Sequence, residues 1–325
     1  MNHKTSAAVG VAAALALTLA PTAHAQQKQW PEKSVRMIVP FAPGGGTDII
    51  ARLMAARLSD EFKQQFVVDN RAGAGGTVGA EAAVRAAPDG YTIIMVSSSY
   101  ATNAALYKLP YDPVTGIAPV TPVGKTAELL LVHPSLPVKS LQQLIDLARA
   151  KPKALNYGSS GVGGFTHLET ELFNQMANVQ TTHVPYKGTG LALTDIVAGQ
   201  IQLLFASAPS SLPFAKQGRL RALGVASTKR MAVAPDLPAI AEVVPGYSAE
   251  LWYGVWAPPG TPRAIVDRLN QAIARAVQSP EIRDRLAADF GIEATHSTPE
   301  EFAKFIGADI GKWKRVVANG NIKLD

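Results

Sequence analysis

The sequence contains no cysteine in 325 residues. Disulfides and thiolate metal ligands are therefore excluded, and stability has to come from a buried core, for which a hydrophobic content of 47% is ample. No His-x-x-x-His pair or carboxylate cluster has metal-ligand spacing, so no metal and no cofactor is expected. Charge of one sign is scarce as well: 31 Lys and Arg against 25 Asp and Glu leave a formal +6, scattered along the chain. That pattern argues against a nucleic-acid partner, while a mild positive field draws anionic ligands inward. One basic group, Lys312, Lys314 and Arg315 around Trp313, reads as the solvated last turn of a helix, where cations suit the macrodipole. Beyond the first 25 residues no stretch is long and apolar enough to span a bilayer.

Residues 1–25 do carry an apolar run. "MNHKTS" is a short basic start, "AAVGVAAALALTLA" follows, and Ala23-His24-Ala25 has the small-x-small form of a cleavage site. This is read as a secretory signal peptide cleaved near Ala25. The run of about 14 residues is short for a membrane anchor, which needs about 20, and without cysteine no lipidated anchor is available. The mature chain is expected to be a soluble exported protein, most simply periplasmic.

Short apolar runs then alternate with helical patterns. "VRMIVPF" (35–41), "QQFVVDNR" (64–71) and "YTIIMVSSS" (91–99) read as strands separated by helices, one over Asp48–Leu58 and one after "GAGG". Such repetition predicts a doubly wound parallel sheet. A second set follows: strands in "AELLLVHPS", "ALNYGSS", "VQTTHVPYK" and "IQLLFAS" with helices between them, one N-capped by Ser140, and a further strand, "LRALGVAS", directly after the fourth. After "LWYGVWAPPG" only helices are expected. Thr261 is placed to N-cap one with Pro262 first, with Ile265, Leu269 and Ile273 on one face. Thr298 and Glu301 stand in capping-box spacing for another. Helices without strands must pack on an existing sheet, so the chain returns to the first domain. The expected fold is α/β, of the type II periplasmic-binding-protein kind. It has two doubly wound lobes, a ligand cleft between them and two crossings, near 126–131 and 250–257. Lobe 1 takes residues 26–126 and 252–325, and lobe 2 takes 127–251.

Three glycine-rich turns follow strands and open helices: Pro43–Asp48, Gly73–Thr77 and Ser159–Thr166. In doubly wound sheets ligands sit at the carboxyl ends of strands, and the free N–H groups of a helix start favour an anion. A nucleotide reading fails in detail. "GGGTD" has aspartate where a phosphate loop needs lysine, and "GAGGTVG" misses dinucleotide spacing by one residue. No Gly-x-Ser-x-Gly elbow is present, and "GSSGVGG" has no committed base. His167 is close enough in sequence to serve such a serine, with a capping or ligand-contact role as the alternative. His133 and His183, on strands, read as structural.

The motifs "MIVPFAPGGGTDIIARLMAARL", "VVDNRAGAGGTVGAEAAVRAAPDGYTI", "NYGSSGVGGFTHLETELF", "HVPYKGTGLALTDIVAGQI" and "GRLRALGVAST", in order, resemble the solute receptors of tripartite tricarboxylate transporters, often called Bug receptors. "APDLPAIAEVVPGYSAELWYGVWAPPGTPRAIVDRLN" continues the resemblance, which covers essentially the whole mature chain. It implies a non-enzymatic, monomeric periplasmic receptor that closes on a small carboxylate and delivers it to the large and small permease subunits. Carried over by motif, the loop with Phe41, Gly44, Gly45, Gly46, Thr47 and Asp48 meets one end of the ligand, partly through ordered water. The turn with Ser159, Ser160, Gly163, Gly164, Phe165, Thr166 and His167 meets the other end, and Tyr186, Lys187, Ser207 and Ala208 line the same wall. Ser97, Ser98 and Ser99 end a strand and are expected to reach the cleft. Asp48 is awkward beside an anion: it either orients loop N–H groups or water, or pairs with an ammonium of an amino-acid ligand. Lys187 either meets a carboxylate or stabilises its turn. Phe41, Tyr100, Phe165, Tyr186 and Trp252 are available as apolar walls for an aromatic acid such as terephthalate or a benzoate. Aliphatic di- and tricarboxylates, amino acids and nicotinate also remain. A bulky residue at Gly164 is expected to block binding and spare the fold. The other readings are a sensory receptor docking on a signalling partner, and a hydrolase on the same scaffold.

Overall fold

The apolar runs become strands because both of their faces are covered. Val35–Val39 is exposed only at Arg36, and Thr92–Ser97 is buried along its length. The computed structural model describes residues 30–320 and 322; the expected signal peptide lies outside them. The first segment runs β1 (Val35–Val39), α1 (Gly46–Phe62), β2 (Phe66–Asn70), α2 (Thr77–Val84), β3 (Thr92–Ser97), α3 (Ser99–Leu106) and β4 (Ala118–Thr126). The second runs β5 (Glu128–Val132), α4 (Leu141–Ala150), β6 (Asn156–Ser159), α5 (Phe165–Ala177), β7 (Thr182–Pro185), α6 (Thr189–Val197), β8 (Leu203–Ser207), α7 (Ala208–Lys216) and β9 (Arg221–Val225). β10 (Leu251–Ala257), α8 (Arg263–Gln278), α9 (Pro280–Phe290), β11 (Glu293–Ala294) and α10 (Pro299–Gly320) complete the described chain.

Two α/β lobes result, one built on the sheet β11-β4-β10-β3-β1-β2 and the other on β7-β6-β8-β5-β9. The sheets are mixed where the sequence pattern predicts parallel ones. β1 pairs parallel with β2 and β3, and β6 with β7 and β8. β10 runs antiparallel to β3 and β4, and β5 antiparallel to β8 and β9. The exceptions are the strands at the crossings. β4 leaves the first sheet and reaches β5 in the second across the single residue Ala127, and β10 returns alongside β4 in the opposite sense. The two crossings are tied together: Ala226 N–H donates to Glu128 O (2.8 Å), and Ala249 N–H donates to Ala226 O (3.3 Å).

The last helices pack on the first sheet, and their ends follow local chemistry. Thr298 Oγ1 accepts from Glu301 N–H (3.2 Å) while the Glu301 carboxylate accepts from Thr298 N–H (2.9 Å), the reciprocal box expected. Ser140 Oγ accepts from Gln143 N–H, as expected for α4. Thr261 does not cap α8: Pro262 is the N-cap, and the Thr261 hydroxyl donates to Pro258 O (2.7 Å). Trp313 is not a solvated residue among cations. It is fully buried, edge-on to Phe165 of the second lobe (5.5 Å between rings), with Lys312 over its ring.

Candidate functional site

The glycines leading into and opening α1, Gly44 to Gly46, let its first turn approach the opposite lobe. A Cβ on Gly46 would stand 2.2 Å from Ser207 Oγ and 2.4 Å from Tyr253 Oη, and one on Gly45 2.9 Å from Thr189 Oγ1. Between the lobes lies a cavity of about 30 Å³ lined by Phe41, Gly45, Gly46, Thr47, Ser97, Ser99, Glu128, Ser160, Phe165, Thr166, Thr189, Ser207, Leu251 and Tyr253. Five helices begin there. Gly46 opens α1, Ser99 opens α3, Phe165 opens α5, Thr189 opens α6, and Ser207 is the N-cap of α7. Three of the five N-caps are glycines, and neither Ser98 nor Ser207 makes a side-chain capping bond to a helix N–H, unlike the caps of α4 and α10. No lysine, arginine or histidine lines the cavity. What the wall offers an anion is therefore backbone N–H groups and helix dipoles.

The expected residues divide into a wall and its scaffold. Phe41, Gly45, Gly46, Thr47, Ser97, Ser99, Ser160, Phe165, Thr166 and Ser207 line the cavity; Gly44, Asp48, Ser98, Ser159, Gly163, Gly164, His167, Tyr186, Lys187 and Ala208 stand behind it. Asp48 is buried and accepts from Gly44 N–H (3.1 Å), Asn70 Nδ2 (2.9 Å) and both Nε and Nη2 of Arg52 (3.0 and 2.9 Å). Burial raises its pKa, but the hydrogen bonds from Arg52, Asn70 and Gly44 outweigh that and hold it below the ordinary 3.8. Its carboxylate thus ties down the glycine loop. Asn70 Nδ2 also donates to Phe41 O (3.0 Å), fixing the other end of that loop.

The second turn is knitted the same way. Thr166 Oγ1 accepts from Ser160 N–H (2.7 Å) and donates to Ser160 Oγ (3.0 Å), and His167 Nδ1 accepts from Gly163 N–H (3.2 Å). Ser159 Oγ accepts from Gly161 N–H and lies 2.6 Å from His183 Nε2. The His183 ring stacks on His167 (4.1 Å). Burial and the neighbouring His167 push its pKa down to about 3, so this imidazole is a poor base, and Ser159 faces away from the cavity. Gly163 has φ 72°, which favours glycine. A Cβ on Gly164 would come 2.4 Å from Ser160 Oγ, so a bulky residue there would disrupt the turn itself. Ser98 braces the hinge: its Oγ donates to Glu250 O (3.2 Å) and accepts from Trp252 N–H (2.9 Å). Tyr186 donates to Asp195 (2.7 Å), and Ala208 is buried in the first turn of α7. The Lys187 side chain is exposed, but its carbonyl accepts from Ala42 N–H (2.9 Å). That bond crosses the cleft, as do Phe165 N–H to Ser99 Oγ (3.0 Å) and Tyr107 Oη to Val162 O (3.0 Å).

Four wall residues escape motif reasoning: Glu128, Thr189, Leu251 and Tyr253. Alternation along β10 offers a signal for two of them. Leu251 and Tyr253 face the cleft, while Trp252, expected as a wall, donates from its indole to Asp309 of α10 (2.7 Å). Glu128 is an acidic residue opening the otherwise apolar strand "ELLLV". Thr189 follows a glycine with φ 134° at the start of α6.

Two α/β lobes joined by paired crossings, with helix starts gathered between them, define a two-lobed solute-binding protein. The tripartite tricarboxylate transporter family receptor profile matches residues 50–322, and the chain belongs to that family. Protein BugT of Bordetella pertussis is 35% identical over 322 residues, 98% of this chain and 98% of its own length. A Rhodopseudomonas palustris protein solved with adipate is 40% identical, with a TM-score of 0.87 over 91% of this chain and 99% of that one. MatC from the same organism, solved with bound malate, is 33% identical, with a TM-score of 0.84 over 89% and 100%. Among the described residues no helix is long and apolar enough to cross a membrane.

Proposed function

We propose that this protein is a periplasmic receptor that captures a small carboxylate between its lobes and delivers it to the membrane subunits of a tripartite tricarboxylate transporter, acting as a monomer. The observation that carries the reading is the convergence of five helix starts on one cavity whose wall holds no cationic side chain. Backbone donors arranged in that way recognise a carboxylate without a salt bridge. Hydrogen bonds to a charged group contribute about 1.5–3 kcal/mol each, and a micromolar receptor needs about 8 kcal/mol net. Four or five such bonds, less the cost of ordering and closure, are sufficient. The relatives solved with adipate and malate support the same ligand class. The lobes are taken as residues 26–126 with 252–325, and 127–251, after a signal peptide over 1–25.

A cavity of about 30 Å³ has room for a water molecule and none for an organic acid. The lobes therefore separate about Ala127 and Ser248–Glu250 to admit the ligand, breaking the hydrogen bonds that join them across the cleft, together with that from Gln175 Nε2 to Asn319 O (3.2 Å). The test is a thermal-shift and calorimetric screen with adipate, malate, terephthalate, benzoate, nicotinate and glutamate, alongside sugars and organic cations. A ligand that binds the folded state raises the melting temperature by mass action, and one or more acids are expected to do so. Responses confined to sugars or cations would overturn the ligand class.

A further inference from the structure

Glu128 is an unexpected group to find in the wall of an anion site. Its side chain is 4% exposed, and it opens β5 directly opposite Ser207 of β8. Behind it, fully buried on α5, the Glu169 carboxyl faces the Glu128 carboxyl. Neither Glu128 Oε2 nor either Glu169 oxygen receives a hydrogen bond from the described residues. Two buried carboxyls with no other donor have to hold protons between them, because both cannot ionise side by side in a dry site. The remaining neighbours do not change this. The Tyr253 hydroxyl is buried on the same cavity wall with the Ser207 hydroxyl beside it and does not reach the carboxyl pair. The Tyr247 hydroxyl donates to Glu169 O (3.3 Å) and leaves the carboxyl alone. Lys312 on α10 is the one cation acting on Glu169, and its effect is smaller than those of burial and of Glu128.

We infer that Glu128 is a specificity-determining residue that serves as a carboxylic acid, donating its proton in a hydrogen bond to one carboxylate of the ligand, with Glu169 behind it as the positioning residue and Tyr253 as a second donor beside it. This deepens the receptor reading and rests on it. A donor with no fixed positive charge suits a site assembled from backbone dipoles, and it couples capture to protonation: when Glu128 ionises, it repels the ligand it otherwise holds. Burial holds the Glu128 carboxyl at about 7, and burial together with Glu128 lifts Glu169 well above an ordinary carboxyl. Carboxylate affinity is therefore expected to be greatest below that region and to fall above it, by up to about tenfold per pH unit for one linked proton.

The experiment is calorimetry of the full mature chain with adipate, or with whichever acid of the screen binds at pH 6.5, repeated at intervals to pH 9. Simple carboxylic acids stay ionised throughout that range, so the pH dependence belongs to the protein. Titrations in two buffers of different ionisation enthalpy report the protons taken up. Expected are falling affinity and uptake approaching one proton at the alkaline end. Glu128→Gln keeps a donor and should bind within a few-fold of wild type at pH 6.5, with no pH dependence and no uptake. Glu128→Ala should bind at least about tenfold more weakly, the cost of a lost charge-assisted bond. Binding that is flat with pH and free of proton uptake in the wild type would overturn the inference and leave the receptor reading standing. Affinity that rises with pH would also overturn it, assigning Glu128 to a ligand ammonium. Binding of no acid at pH 6.5 would overturn the receptor reading and this inference with it.

Discussion

Asp48 shows how far motif reasoning reaches at the level of a single residue. Its place in the glycine loop is legible from sequence, but its task is not, because that depends on Arg52 one turn on and on Asn70 at the end of β2. Asp48→Asn is expected to cost about 1–3 kcal/mol through loosening of the loop; the half-exposed Arg52 partner adds little. The folded carboxyl titrates below its ordinary 3.8, so its stabilisation is complete above that value and is lost as pH falls through the depressed one. The melting-temperature gap between wild type and variant should be constant above about pH 5 and narrow below about pH 4. The buried acid pair has the opposite sign. Its raised carboxyls stabilise the fold below an ordinary glutamate's 4.5 and lose that contribution as pH rises through the higher values. Glu169→Gln should therefore gain in melting temperature over wild type between about pH 5 and 8. Gly46→Val places atoms where Ser207 and Tyr253 already stand. Overpacking of that kind costs about 1–3 kcal/mol, and titration should show ligand affinity falling more than thermal stability. Glu128 itself was not legible, since a lone acid before four apolar residues looks like a strand end until the other lobe is placed against it.

Elements were legible in proportion to how local their causes are. The Thr298 and Glu301 box needs four residues of sequence and is present as read. Thr298→Ala should lower stability by about 1 kcal/mol, measured as an earlier denaturant midpoint with an unchanged slope. β4 is not legible because "APVTPVGKT" carries Pro119 and Pro122, residues that sequence logic places outside strands. The structure accommodates them where the register with β10 shifts, opposite Trp256 and Gly254. α7 is obscured for the same reason, with Pro209 in its first turn and Pro213 inside it. The antiparallel sense of β5 and β10 also has a non-local cause. It follows from the chain having to leave one sheet and return to it, which no window of apolar periodicity records.

At the scale of the whole molecule, hydrogen bonds between the lobes close the cleft while two crossings hold its back. Tyr107→Phe removes the bond to Val162 and should raise the ligand off-rate several-fold, with little change in on-rate, since a neutral hydrogen bond contributes about 0.5–1.5 kcal/mol. Stopped-flow fluorescence of a bound acid separates the two rates. The helix starts around the cavity have a broader consequence. In the proposed site every donor other than Glu128 and Tyr253 belongs to the main chain, so substitutions along the wall at Phe41, Phe165, Thr189 or Leu251 change the room available without removing a single amide. Such a receptor can drift from one acid to another through ordinary side-chain replacement, its taste for anions secured by the path of the backbone and its choice among them left open to inheritance.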